Sequence, residues 1–329
     1  MRAAATASVV LTFVLAACNG TSLTDIGTTG TTGSTGTNGQ TPAVTGPGLS
    51  WRAVTPPAGG TGWYGVAFGN GIYSVVGSGI RGASYTGNSW TASLFTTTPY
   101  YFASSLVFAN GTFMAPTGLN VTSSTTGLSW SAVTLTNAQA VRALTYGAGK
   151  WVGVDDRFLT EDRLAFYTSS NNGVSWQQTV TTIGYAQPTG IAHGNGVFVA
   201  VGYGGLVATS PDGTSWTRRS FNATSTDFGV QNVVFANNVF LAPTNSGVVF
   251  KSSDGVTWTR IKVTVNALYA ATYGGGVYVV VGNASAIWSS TDATVWTQRT
   301  FPGPYTVFRA VAYSSGQFVA VGSTFAVSP

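Results

Sequence analysis

The chain of 329 residues contains one cysteine, one histidine and one glutamate. Charged side chains make up 7% of it, against about a quarter in an ordinary globular protein. Each scarcity closes a class of chemistry. With His193 alone and no cysteine beyond Cys18, zinc centres and cysteine or histidine nucleophiles are excluded from the body of the chain, and no disulfide can form within it. Glycoside hydrolysis in general needs two facing carboxylates. Of the nine acids, Asp25 lies in a linker and Asp212, Asp254 and Asp292 lie in turns, which leaves Asp155, Asp156, Glu161, Asp162 and Asp227. The glycines sit at turns and form no phosphate-binding loop. Low charge does not here mean disorder, because 44% of the residues are hydrophobic and can bury a large core.

What the chain does have is repetition. Ile191-Ala192-His193-Gly194-Asn195-Gly196-Val197-Phe198-Val199-Ala200-Val201-Gly202 reads as two strands joined at Asn195-Gly196. Both central residues of a type I′ turn need positive φ, which Asn and Gly tolerate. That turn places His193 opposite Phe198. The same five-residue step links Phe68 to Tyr73, Phe108 to Phe113, Tyr146 to Trp151, Phe235 to Phe240, Tyr273 to Tyr278 and Tyr313 to Phe318, making seven hairpins. Ala148 is the one turn residue that fits a primed turn poorly. In phase with the hairpins run Trp51, Trp90, Trp130, Trp176, Trp216, Trp258 and Trp296, spaced 39, 40, 46, 40, 42 and 38 residues apart.

A period near 40 residues with four short strands per unit is the mark of an all-β, seven-bladed β-propeller built from four-stranded antiparallel blades. The chain stops at Ser328-Pro329, where the repeat calls for a turn and a fourth strand. Pro47-Gly48-Leu49-Ser50-Trp51 supplies both, so an N-terminal strand should close the last blade. Blades 2 and 5 match each other, as do 3 and 6. Pro116 and Pro243 replace the valine of the second strand in blades 2 and 5, which should end that strand early.

Residues 1–18 read as a targeting segment: Arg2, an apolar run of 11 residues from Ala7 to Ala17, too short to span a bilayer, then Leu15-Ala16-Ala17-Cys18. The last four residues resemble the lipobox of bacterial lipoproteins, which implies cleavage before Cys18 and lipid on it. Asn19 stands where that family's inner-membrane retention signal has aspartate. The resemblance therefore implies an outer-membrane lipoprotein of the cell envelope, on its periplasmic or its surface-facing side. Residues 19–46, rich in Thr, Gly, Ser and Asn, read as a flexible tether, and 47–329 as the propeller.

The tryptophan turns, such as Ser210-Pro211-Asp212-Gly213-Thr214-Ser215-Trp216, resemble the Asp-box (BNR) repeats of sialidase-like propellers and of related DG-x-x-W repeat proteins, over roughly residues 48–329. Here Asp and Gly are adjacent, and Thr86, Thr126 and Asn172 stand in for aspartate in blades 1 to 3. In those families the box is a structural turn, so the resemblance implies fold and not activity. Sialidase chemistry further requires an arginine triad, a tyrosine nucleophile and a glutamate, whereas this chain has Glu161 only and lacks the family's early arginine motif.

Blade 3 carries an insertion at Asp155–Arg163 that holds Asp155, Asp156, Glu161 and Asp162 beside Arg157 and Arg163. It reads as a solvated hairpin tip, a partner contact or a cation loop. His193 takes a position that is Phe or Tyr in the other six blades, so it reads as a core ring. The net charge of +5 concentrates on the fourth strands, in Arg52, Arg218, Arg219, Arg260, Lys262 and Arg299. Charge there guards an exposed edge or forms a basic arc for anionic lipid or acidic polysaccharide. Trp63, Tyr64, Tyr100, Tyr101, Tyr185 and Tyr305 fall in the connections that enter each blade, where rings suit stacking on sugars or gripping a protein loop.

The expectation is a monomeric, membrane-tethered binding module without catalytic residues, cofactor or metal. It takes a glycan or an envelope protein on its loop face, with no nucleic-acid partner. Two alternatives stay open: a sialidase-like glycoside hydrolase or polysaccharide lyase, and a scaffold for envelope assembly.

Overall fold

The computed structural model describes residues 46–60, 62–94, 103–136, 138, 141–155, 163–184, 187–221, 227 and 229–329. These residues form seven four-stranded antiparallel sheets. Six are built from consecutive strands. The seventh takes Phe308–Ser314, Gln317–Gly322 and Phe325–Ser328 from the C-terminal end and Arg52–Val54 from the N-terminal side, with Arg52 opposite Val327 and Val54 opposite Phe325. The fold is an all-β, seven-bladed propeller.

The hairpins form as their turn residues require. Asn195 and Gly196 both have positive φ, and His193 pairs with Phe198. Ring centroids of the seven cross-strand pairs lie 4.4–5.3 Å apart. In four blades the first ring also lies over a glycine of the blade before it. A Cβ built on Gly69 would stand 2.2 Å from the Phe108 ring, and one on Gly147 would stand 2.1 Å from the His193 ring. His193 is thus a packed ring, and burial lowers its pKa.

The core is not inside the blades but between them. Buried apolar residues fall into seven clusters, each drawn from two adjacent blades. Strand alternation sends side chains to both faces of each sheet, and each face needs a neighbour to cover it. Trp216 of blade 4, for instance, stacks on Phe166 of blade 3 with centroids 3.9 Å apart and planes 9° from parallel.

The turn between third and fourth strands has one recurring design. Ser210 Oγ accepts the Gly213 N–H at 2.8 Å, Asp212 Oδ1 accepts the Thr214 and Ser215 N–H groups at 2.8 and 2.7 Å, and Trp216 Nε1 donates to Gly213 O at 3.1 Å. Those backbone donors hold the Asp212 carboxyl well below the ordinary carboxylate range. In blade 7 the same turn is assembled across the break in the chain. Gly48 N–H donates to Ser328 Oγ at 2.8 Å, and Trp51 Nε1 donates to Gly48 O at 3.2 Å.

Two expectations are corrected. In blade 3 it is Asn171, not Asn172, that fills the aspartate position, because its Oδ1 accepts the Ser175 N–H at 2.9 Å. The extra residue puts Asn172 at φ 56°, where it accepts from Trp151 Nε1 at 2.8 Å. The second concerns the prolines: Val239–Pro243 ends at its proline as expected, but Thr112–Thr117 runs through Pro116. In both blades the innermost strand is shortened as well, to Val107–Ala109 and Val234–Ala236. Proline has no N–H to give the innermost strand, so that ladder lapses to single bridges at Ala103 and Val230.

Candidate functional site

Antiparallel order puts the tight hairpin turns and the Trp turns on one face of the ring, the turn face. The connections into each blade and those between second and third strands lie on the opposite, loop face. Just inside the loop face, the innermost strands of blades 1, 3, 4, 6 and 7 share an irregularity. Register slips between Trp63 and Gly65, Val141 and Ala143, Pro188 and Gly190, Leu268 and Ala270, and Phe308 and Ala310. Each slip frees one residue from pairing, and a bulge of this kind re-aims a side chain at a barrel or propeller rim. The residues are Tyr64, Arg142, Thr189, Tyr269 and Arg309. Ser104 and Gln231 stand at the same repeat position in blades 2 and 5.

Several of these rim positions are linked from blade to blade. The Arg309 guanidinium lies 5.2 Å from the Tyr64 ring centroid and 5.4 Å from that of Tyr269, so blade 7 reaches both of its neighbours. The Ser104 hydroxyl donates to Arg142 O at 2.6 Å, and that of Thr189 donates to Val230 O at 2.9 Å. Gln231 Nε2 donates to the Tyr203 hydroxyl at 3.1 Å. Tyr64, Tyr269 and Thr189 are half-buried, and Tyr203 and Arg309 are exposed. The rim offers guanidinium, phenol, hydroxyl and amide groups. None of its seven positions carries a carboxylate or imidazole.

The expected site residues are only partly brought together here. Tyr64 is on the rim. Tyr305 is 74% exposed on the loop face, its hydroxyl 3.5 Å from Asn283 Oδ1. Trp63 is a correction: it is 1% exposed and packs edge-on against Phe325 at 5.6 Å. As the first paired residue of its strand, opposite Gly77, it faces the interface with blade 7 and not solvent. Asp155 is a second correction. It is 0% exposed, ends the second strand of blade 3, and accepts a hydrogen bond from the Tyr167 hydroxyl at 3.5 Å. It belongs to the blade and not to a solvated tip. Tyr100, Tyr101, Tyr185, Asp156, Glu161, Asp162 and Cys18 lie outside the described residues.

Asp227 is 1% exposed and held by Arg260, with Nε to Oδ2 at 2.6 Å and Nη2 to Oδ1 at 3.1 Å. The fourth-strand cations largely serve their own chain. Arg219 donates to Thr209 Oγ1 at 3.0 Å and Arg218 to Ile183 O at 3.2 Å. No group of three or more His, Cys, Asp or Glu able to hold a metal occurs among the described residues.

Arg309 and Arg142 escape a reading for exposed loop rings because they are cations, and Tyr269, at the repeat position of Tyr64, is passed over by it. A signal for them existed. Four residues before the first ring of each hairpin, the seven blades read Tyr, Ser, Arg, Thr, Gln, Tyr and Arg, a varied position beside small or apolar neighbours.

Residues 197–303 match a family described as the DUF6242 beta propeller domain. No curated protein matches the sequence. Among solved structures, the chain is similar to YCF48 bound to D1 peptide, with a TM-score of 0.67, 18% identity, and 88% of this chain and 98% of that one covered. It is similar to virginiamycin B lyase from Staphylococcus aureus, with a TM-score of 0.74, 12% identity and coverage of 85% and 99%. It is also similar to the WD40 beta propeller domain of Doa1, with a TM-score of 0.66, 11% identity and coverage of 85% and 97%. At such identities the likeness concerns the fold.

Proposed function

We propose that this propeller is a non-enzymatic binding module that holds a protein partner on the loop-face rim. One observation carries the reading. The bulged positions of the innermost strands converge on a surface of tyrosine, arginine, hydroxyl and amide groups with no carboxylate or imidazole among the described residues. Rings and guanidinium groups are the side chains that anchor protein interfaces. The structure of YCF48 with a bound peptide supports a peptide-like ligand on a propeller of this shape.

The test is a peptide-display selection against the chain, with retained binders then assayed on rim and turn-face variants. Tyr269→Ala and Tyr305→Ala should weaken the binders at least tenfold, and Tyr85→Ala, exposed on the turn face, should not. Binders indifferent to both loop-face changes would remove the reading.

The tether belongs to the same proposal. Lipid on Cys18 and the segment 19–46 would carry the propeller, and its support is the sequence around Cys18. Cys18→Ser should move the protein from the detergent phase to the aqueous phase in a cloud-point partition. Unchanged partitioning would exclude the lipid.

A further inference from the structure

We infer that Arg309 is an anion hook: it takes a carboxylate presented by an acidic segment of the protein partner. This deepens the rim reading above and rests on it. Most other cations of the propeller have an internal partner. Arg260 is ion-paired to Asp227, Arg299 donates to Ser289 Oγ, Lys150 donates to Asp212 O and Lys251 to Asp292 O. Arg309, by contrast, holds only the two tyrosine rings, and no hydrogen-bond acceptor or carboxylate engages its N–H groups among the described residues. A chain with so few charges keeps this one exposed at the rim without an internal task.

The geometry suits a hook. A guanidinium within about 6 Å of a ring centroid is held by the ring's quadrupole. Two such contacts, from the blades on either side, fix a side chain that would otherwise lose rotamer freedom on binding. Neither contact is a hydrogen bond, so the planar N–H fork stays available to an acceptor. A carboxylate fits that fork bidentately, and a charge-assisted pair of this kind is stronger than a neutral hydrogen bond. Because the site lies at the surface, its attraction should be screened by salt.

The experiment uses the full chain and labelled hexaglutamate, with hexaglutamine as the neutral probe and fluorescence anisotropy as the readout, at about 20 and about 200 mM salt. Hexaglutamate should bind, hexaglutamine should not, and added salt should weaken binding. Arg309→Gln should weaken hexaglutamate at least tenfold with an unchanged thermal melt. Arg309→Lys, which keeps charge but not the fork, should fall between the two. Failure of the wild-type chain to bind hexaglutamate, equal binding by Arg309→Gln, or equal retention of hexaglutamine would overturn the hook. Displacement by polygalacturonate at a much lower carboxylate concentration would overturn the polypeptide source in favour of an acidic sugar. Neutral display-selected peptides that need Tyr269 but not Arg309 would overturn the hook and leave the rim reading standing. Absence of any rim-dependent binder would remove both.

Discussion

Trp216 and Phe166 offer the sharpest test of a core that lies between blades. Trp216 is 8% exposed, Phe166 is 0% exposed, and their rings stack at 3.9 Å across the interface of blades 3 and 4. Replacing a buried Trp or Phe with Ala costs about 3–5 kcal/mol through lost transfer and the cavity left behind. Trp216 also donates to Gly213 O, a bond whose net worth is about 1 kcal/mol. Trp216→Ala should therefore destabilise by about 4–5 kcal/mol, and Phe166→Ala by about 3–4. The pair shares one cavity and one stacked contact worth about 0.5–1.5 kcal/mol beyond area, so the double variant should fall short of the sum by at least about 1 kcal/mol. Urea unfolding followed by near-UV circular dichroism measures each term. Val265→Ala, at an 86% exposed position, is the control and should change nothing. If either Ala variant unfolds at the alanine-free midpoint, the claim that adjacent blades cover one another is wrong. If instead the two losses simply add, the stack contributes nothing beyond area.

Three further outcomes follow from the turns. Ser328→Ala leaves the buried Gly48 N–H without its acceptor and should cost about 1–3 kcal/mol, read by thermal melt; an unchanged melt would mean the split turn does not hold the ring shut. Ala148→Gly relieves a side chain held at φ 47° in an exposed turn and should stabilise by about 0.5–1 kcal/mol, whereas a lower melt would contradict the turn assignment. Acid should weaken the fold through the turn aspartates. Backbone N–H groups hold Asp292 down to about 2, and Asp212 is held lower by the same cause. A depressed carboxyl stabilises fully above its unfolded pKa near 4, and that stability drains as pH falls through the folded value. Stability should therefore drop from about pH 4 toward pH 2, and Asp212→Asn should flatten that drop; an unaltered slope would refute the link.

Much of the architecture was legible because propeller blades advertise themselves locally. Asn195-Gly196 names its own turn, the turn sets the register, and the register pairs His193 with Phe198. The recurrence of Trp at a steady interval counts the blades. The site was less legible for a geometric reason. Trp63 and Tyr64 are adjacent and equally aromatic, yet one is sealed against Phe325 and the other lines the rim. A bulge decides between them, and nothing in the dipeptide predicts it. Asp155 misled in the opposite direction: its acidic neighbours in sequence suggested solvent, while its pairing with Val141 carries it into the blade. Asn171 and Asn172 were interchangeable on paper, and only the added residue in that turn tells which one caps it.

By itself, then, the chain's composition and period determined an all-β ring of seven blades closed by a segment from the other end, because turn chemistry and strand alternation act between residues a few positions apart. Tertiary structure alone decided which side chains share the rim. Tyr64, Tyr269 and Arg309 lie in three different blades, the first and last of them 245 positions apart, and they meet only when the ring closes and its register slips turn them toward one another.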